Sequence, residues 1–173
     1  MNLKQYRWCI RTLKMAYKVK RNTGFPASAM TAQAILESGY GEKVPIDLHT
    51  DKVSNNLFGI KCTIRDGIII EAGDNGWVKD LTKEWDKKKK EYYLDLAYFR
   101  AYKSYESCFY DYVHFIRSNP RYKEALKCLD DPKRYAYEVY KAGYASDSVV
   151  YLESLLKLID QVNRIPIILL KLY

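Results

Sequence analysis

Helical periodicity at both ends and a β-rich middle predict an α+β fold, a mainly helical body carrying a small β-hairpin lobe. Three observations carry that prediction. Leu3, Tyr6, Ile10, Leu13 and Tyr17 recur at helical steps with Lys and Arg between them. Cys108, Phe109, Tyr112, Phe115 and Ile116 form a second apolar stripe. Between about 60 and 100 the pattern changes, and Asp66-Gly67 sits between β-branched residues as a hairpin signal.

The elements follow in order. Asn2 to Val19 is expected as an amphipathic helix, and Asn22-Thr-Gly-Phe-Pro26 ends it. Ser28 is the expected N-cap of a second helix, with Gly39 as its stop. Ala29, Ala32 and Ala34 make that helix small-sided, so close packing at the centre of the body is expected. Ile64 to Ile70 reads as a hairpin, and Asp74-Asn75-Gly76 as a second turn. Val78 to Trp85 and Tyr92 to Phe99 read as strands joined by Lys87 to Lys90. That lysine run is expected to be a solvated turn. Helices follow from Ser104, from Asn119-Pro120, from Asp131-Pro132 to Gly143, and after Asp147. The last should face inward with Leu152, Leu155, Leu156 and Ile159. Residues 1–173 are read as a single domain with a β lobe over about 60–100. A cleft between body and lobe is the expected site.

Composition narrows the function. A net charge of +8 points to an anionic partner. No helix-turn-helix, zinc-finger or RNP signature supports nucleic acid, which is not expected as a partner. The apolar stretch Ile167 to Leu170 is far short of a membrane span, so no membrane partner is expected either. Charge interrupts the first residues too often for a signal peptide. Cys9, Cys62, Cys108 and Cys128 lack a C-x-x-C spacing and stand apart from His49 and His114. Buried thiols are expected rather than a metal site, and no cofactor is implied. The chain has 17 Tyr, a residue suited both to polar-ligand grooves and to a polar-tipped core.

Glu37 is the candidate for chemistry. It lies among apolar and small residues near the end of the second helix. Burial and the negative end of the helix would both raise its pKa, keeping a transferable proton near neutrality. The alternative is a helix-end Glu paired with a Lys.

Ala32-Gln-Ala-Ile-Leu-Glu-Ser-Gly-Tyr-Gly41 followed by Asn55-Asn-Leu-Phe-Gly-Ile-Lys61 resembles the bacterial glucosaminidases of glycoside hydrolase family 73. That family includes flagellar rod-cap hydrolases, autolysins and phage lysins. The resemblance continues through Thr82-Lys-Glu84, Phe99-Arg-Ala-Tyr-Lys-Ser104 and Ala142-Gly-Tyr-Ala-Ser-Asp147. It implies a lysozyme-like fold and hydrolysis of the β-1,4 bond on the reducing side of N-acetylglucosamine in peptidoglycan. It maps the general acid onto Glu37, a second carboxylate onto Glu84 and a tyrosine beside the cleaved bond onto Tyr144. Glu71, Asp74 and Asp80 compete with Glu84, because the stretch from Asp66 to Asn75 can shift the alignment. Asn56, Phe58, Tyr40 and Gln33 are the expected substrate-binding residues. Trp77, Trp85 and Tyr40 suit either stacking on sugars or packing.

Glycan strands and anionic wall polymers are the expected partners of a monomer acting at the bacterial wall. The missing leader fits a phage lysin or an excised domain of a secreted protein. A muramidase or lytic transglycosylase of the same fold is the neighbouring alternative. A basic wall-binding module without activity is the alternative from another class. Retention, inversion and attack by the sugar's own amide all remain open.

Overall fold

The computed structural model describes residues 1–86, 88–145 and 149–166. Lys87 of the lysine run, the Ser146-Asp147-Ser148 step with its expected helix cap, and the Ile167 to Leu170 stretch lie outside the described residues.

Helix α1 spans Leu3–Thr23. Asn2 and Gln5 cap it reciprocally, each side chain accepting the other's backbone N–H. It continues past Val19 because nothing breaks it before Gly24, whose left-handed backbone closes the last turn. Helix α2 spans Ala27–Ser38. Here the expected Ser28 cap is corrected. Pro26 holds the N-cap position, and Ser28 is buried one step inside the helix. Proline's fixed φ suits the entry to a helix, and no side chain caps this one. The small residues place α2 in the middle of the body, against α1, α4 and α5.

The lobe consists of two hairpins. Strands β1 (Thr63–Arg65) and β2 (Ile68–Glu71) pair antiparallel, turning at Asp66-Gly67. Strands β3 (Trp77–Asp86) and β4 (Glu91–Arg100) form the longer ribbon, from Trp77 opposite Arg100 to Asp86 opposite Glu91. Side chains alternate along a strand. One ribbon face therefore carries Asp80, Thr82 and Glu84, and the other Trp77, Lys79, Leu81, Lys83 and Trp85. At its base the ribbon is locked to the turn before it. Ala101 N–H donates to Gly76 O, and Asn75 N–H donates to Ala101 O. Gly73 must be glycine there, since a Cβ would lie 2.0 Å from Ala101 O.

Helix α3 (Tyr105–Ser118) begins at the capping residue Ser104 and buries Cys108, Phe109, Tyr112 and Ile116. The helix expected from Asn119-Pro120 is corrected to two short 3-10 turns, Pro120–Tyr122 and Ala125–Cys128. Helix α4 (Pro132–Lys141) starts where Asp131 caps it, and α5 spans Val149–Asn163. On α5, Leu155, Ile159 and Val162 are buried, while Leu152 and Leu156 are half-buried. Cys9, Cys108 and Cys128 are buried free thiols, and Cys62 is half-buried.

Candidate active site

The site starts from the end of α2. Glu37 is half-buried, and no cation lies within ion-pair distance of it among the described residues. Its partner is Tyr151 in the first turn of α5, whose hydroxyl donates to Glu37 Oε1 at 2.5 Å. Burial raises the pKa of Glu37, and the Tyr151 hydrogen bond opposes part of that rise. Tyr151 itself is pushed far above the usual phenol range, by burial first and then by the Glu37 charge. It stacks on Tyr140 of α4 at 6.2 Å between ring centres.

A hydrogen-bonded tyrosine floor continues behind this pair. Gln33, one helical turn before Glu37, is buried, and its Oε1 accepts from Tyr112 Oη at 2.7 Å. Tyr112 and Tyr135 hydroxyls lie 2.9 Å apart. With the Tyr112 proton used on Gln33, Tyr135 is the donor of that pair. Tyr144 is half-buried beside this floor, edge-on to Tyr112 at 6.1 Å. Its hydroxyl donates to Phe58 O at 2.9 Å. Burial and the nearby Glu37 charge raise its pKa well above the usual phenol range.

Asn56 and Phe58 present no side chain to open solvent. Asn56 is 1% exposed. Its Nδ2 donates to Ile60 O and Arg100 O, and its Oδ1 accepts from Phe58 N–H and Ile60 N–H. The amide is fully used in folding the 56–60 turn onto the base of β4. Phe58 is stacked on Tyr112 at 4.1 Å and set edge-on to Phe109. Both side chains are buried, and the Phe58 backbone carbonyl accepts from the Tyr144 hydroxyl. Tyr40 turns toward α1, edge-on to Trp8 at 5.8 Å.

Glu84 is in a different environment. Lys61 Nζ donates to its Oε1 at 2.5 Å, and Thr82 Oγ1 donates to the same oxygen at 3.1 Å. Thr82 and Glu84 thus share a strand face as their spacing predicts. The hydrogen bond from Lys61 is the main reason the carboxyl sits below its ordinary range. Lys61 is thus the cation paired with Glu84. The three competitors are each tied to structure. Glu71 accepts from Arg100 Nη2 at 2.6 Å and from Thr63. Asp74 accepts from the Lys103 N–H, and Asp80 from the Ile46 N–H. Trp77 and Trp85 lie on the face opposite Glu84, edge-on to Tyr98 and Tyr92.

Tyr151 and Lys61 are the site partners that sequence reasoning missed. Lys61 closes the quoted Asn55 to Lys61 block, so a signal was present. Tyr151 follows the Gly-Tyr-Ala block, but only the packing of α5 on α2 brings it to Glu37.

With that geometry in view, three comparisons bear on the chain. A family model described as "Mannosyl-glycoprotein endo-beta-N-acetylglucosaminidase" matches residues 13–164. The chain is 38% identical over 135 residues to the peptidoglycan hydrolase FlgJ of Pseudomonas aeruginosa, covering 78% of this chain and 31% of that protein. It is 34% identical over 153 residues to FlgJ of Vibrio cholerae, covering 86% of this chain and 42% of the relative. It therefore spans well under half the length of the curated relatives it matches. Among solved structures, a C-terminally truncated glycoside hydrolase domain of Salmonella typhimurium FlgJ superposes with a TM-score of 0.71. That match has 28% identity and covers 94% of this chain and 99% of the other.

Proposed function

The chain belongs to the glucosaminidase family of glycoside hydrolases, and on that premise we propose that it cleaves peptidoglycan at the β-1,4 bond on the reducing side of N-acetylglucosamine. Glu37 is the general acid. The observation that carries this reading is its carboxyl group, half-buried, without a cation among the described residues and held by the Tyr151 hydroxyl. A carboxyl in that state retains its proton at higher pH than an exposed one.

Tyr151 decides which oxygen carries the proton. Its hydroxyl donates to Oε1, so the acidic hydrogen of Glu37 sits on Oε2. Oε2 passes the proton to the glycosidic oxygen as the bond breaks. The carboxylate left behind keeps the Tyr151 hydrogen bond, which stabilises the charge just formed. Glu84, kept ionised by Lys61, is the second carboxylate, acting as base or stabilising the positive charge that develops at the anomeric carbon. Tyr144 uses its proton on Phe58 O, which leaves its oxygen as an acceptor for the acetamido N–H of the sugar. Gln33, Asn56 and Phe58 hold these groups in place, and the domain over 1–173 works at the bacterial wall.

The deciding experiment is mass spectrometry of muropeptides released from purified walls. N-acetylglucosamine reducing ends are the expected products. N-acetylmuramic or anhydromuramic ends would replace this reading with the muramidase or transglycosylase one. Binding without any new ends would leave only a wall-binding module.

A further inference from the structure

Helix α1 has a charge pattern that the site does not use. Lys4, Arg7, Arg11, Lys14, Lys18 and Arg21 fall within an arc about 100° wide when residues advance by about 100° each. No acidic residue occurs in the helix. The row rises about 26 Å from first to last. Lys4 is paired with Glu42 and Lys18 with Glu106, each at 2.7 Å. Arg7 and Arg11 lie exposed between those pairs, without an ion pair among the described residues. Beside this half of the helix is a recess of about 1140 Å³, with Tyr6, Trp8, Tyr40, Arg7 and Arg11 in its walls. Gly41 packs closely against the Trp8 indole beside it. A Cβ there would lie 2.8 Å from Trp8 Nε1. The apolar side of α1 is committed to the core through Trp8, Ile10, Leu13 and Val19, so it has no apolar face left for lipid.

We propose that this face docks a peptidoglycan strand other than the one being cut, with Arg7 and Arg11 taking the carboxylates of its peptide stems. The inference rests on the peptidoglycan reading above. That polymer carries stem carboxylates along its length, a repeated anion that matches a row of cations at successive turns.

The test is co-sedimentation of the full chain with purified sacculi. Parallel arms use sacculi with amidated peptide carboxylates, a DNA duplex, and phosphatidylglycerol vesicles. The double substitution Arg7→Glu/Arg11→Glu should weaken binding to intact sacculi about tenfold or more. The charge-matched control Lys123→Glu/Lys141→Glu should change it by less than about twofold. Amidated sacculi should bind the wild-type chain as poorly as intact ones bind the double variant. Circular dichroism checks folding, and if the reversal unfolds the helix, Arg7→Gln/Arg11→Gln should shift binding in the same direction. Equal losses in the control, indifference to amidation, or tighter binding to DNA or vesicles would each overturn the proposal. Hydrolysis of sacculi with unaltered binding by the double variant would defeat the docking face alone. Wild-type binding that needs Arg7 and Arg11 but releases no reducing ends would defeat the hydrolase reading and leave the docking face standing.

Discussion

Helix α2 and the β3–β4 ribbon each present one carboxylate of the proposed site, and they treat it in opposite ways. On α2, burial raises the pKa of Glu37, and its partner among the described residues is a neutral hydroxyl. On the ribbon, Glu84 meets a lysine and a threonine, which lower its pKa. Two groups of the same chemistry are thereby separated into an acid and an anion. The separation comes from the supports. A small-sided helix wedged between other helices removes water from its last turn. A two-stranded ribbon leaves its side chains wet and stabilises charge only through neighbouring residues. The pairing of a protonated with an ionised carboxyl is what glycoside hydrolysis requires.

The largest test of that contrast is Glu37→Gln. Hydrolysis of purified walls should fall about 10²-fold or more, measured as reducing ends released. The folded protein should gain stability at the same time. The folded pKa of Glu37 lies above its ordinary 4.5, so the folded state binds the extra proton. Stability contributed by this group is present at low pH and is lost as pH rises from 4.5 through the raised value. Glutamine removes that loss. The variant's Tm should exceed the wild type's at pH 7, and the gap should close below about pH 4. A variant that loses activity and stability together would mean that Glu37 is ion-paired in solution.

Glu84→Gln should cost less, about tenfold, because the acetamido oxygen of the substrate partly substitutes for the lost carboxylate. Parallel Glu71→Gln, Asp74→Asn and Asp80→Asn variants should retain near-normal turnover once folding is verified. A larger loss at one of those three would move the second carboxylate and collapse the contrast as drawn.

Tyr151→Phe separates orientation from burial. It removes one hydrogen bond to Glu37 and keeps the ring. The maximal rate should fall about tenfold, the scale of one hydrogen bond to a charged group. That bond lowers the pKa of Glu37, so losing it raises the pKa further. The alkaline limb of the pH–rate profile should move to higher pH. An unmoved limb would remove Tyr151 from the proton's control.

The smallest effect belongs to Lys61→Met. Glu84 would then titrate nearer the ordinary carboxylate range, and the acid limb of the profile should move to higher pH. Stability should change by less than about 1 kcal/mol, since the pair is partly exposed. Stability from Glu84 is present above its ordinary 4.5 and is lost as pH falls through the lowered value. Urea midpoints at pH 7 and pH 3 would measure that loss.

Much of this is legible in the residues. Helical periodicity, the Asp66-Gly67 turn and the alternation around Val78 and Phe99 locate the body and the ribbon, because each depends on local repeat and local turn chemistry. Ala29, Ala32 and Ala34 announce a central helix, since only small side chains permit packing on several sides. Glu37 stands out for the same local reason, as a lone carboxylate in an apolar run. Two departures from local expectation are also local in origin. Ser28 is a good cap by type, but Pro26 takes the position two residues earlier. Asn119-Pro120 starts a helix by type, yet only 3-10 turns follow it.

What the sequence determined by itself, then, is the order of elements and a lone carboxylate, Glu37, in an apolar helix, properties encoded within a few residues of one another. What tertiary structure decided is the distant partner of each carboxylate. Tyr151 lies 114 residues from Glu37 along the chain, and Lys61 lies 23 from Glu84. Asn56 looks like a groove residue until its amide is found bonded to Arg100 O and Ile60 O. A pKa depends on distance in space and on the water excluded around the group, and neither is set by spacing along the chain.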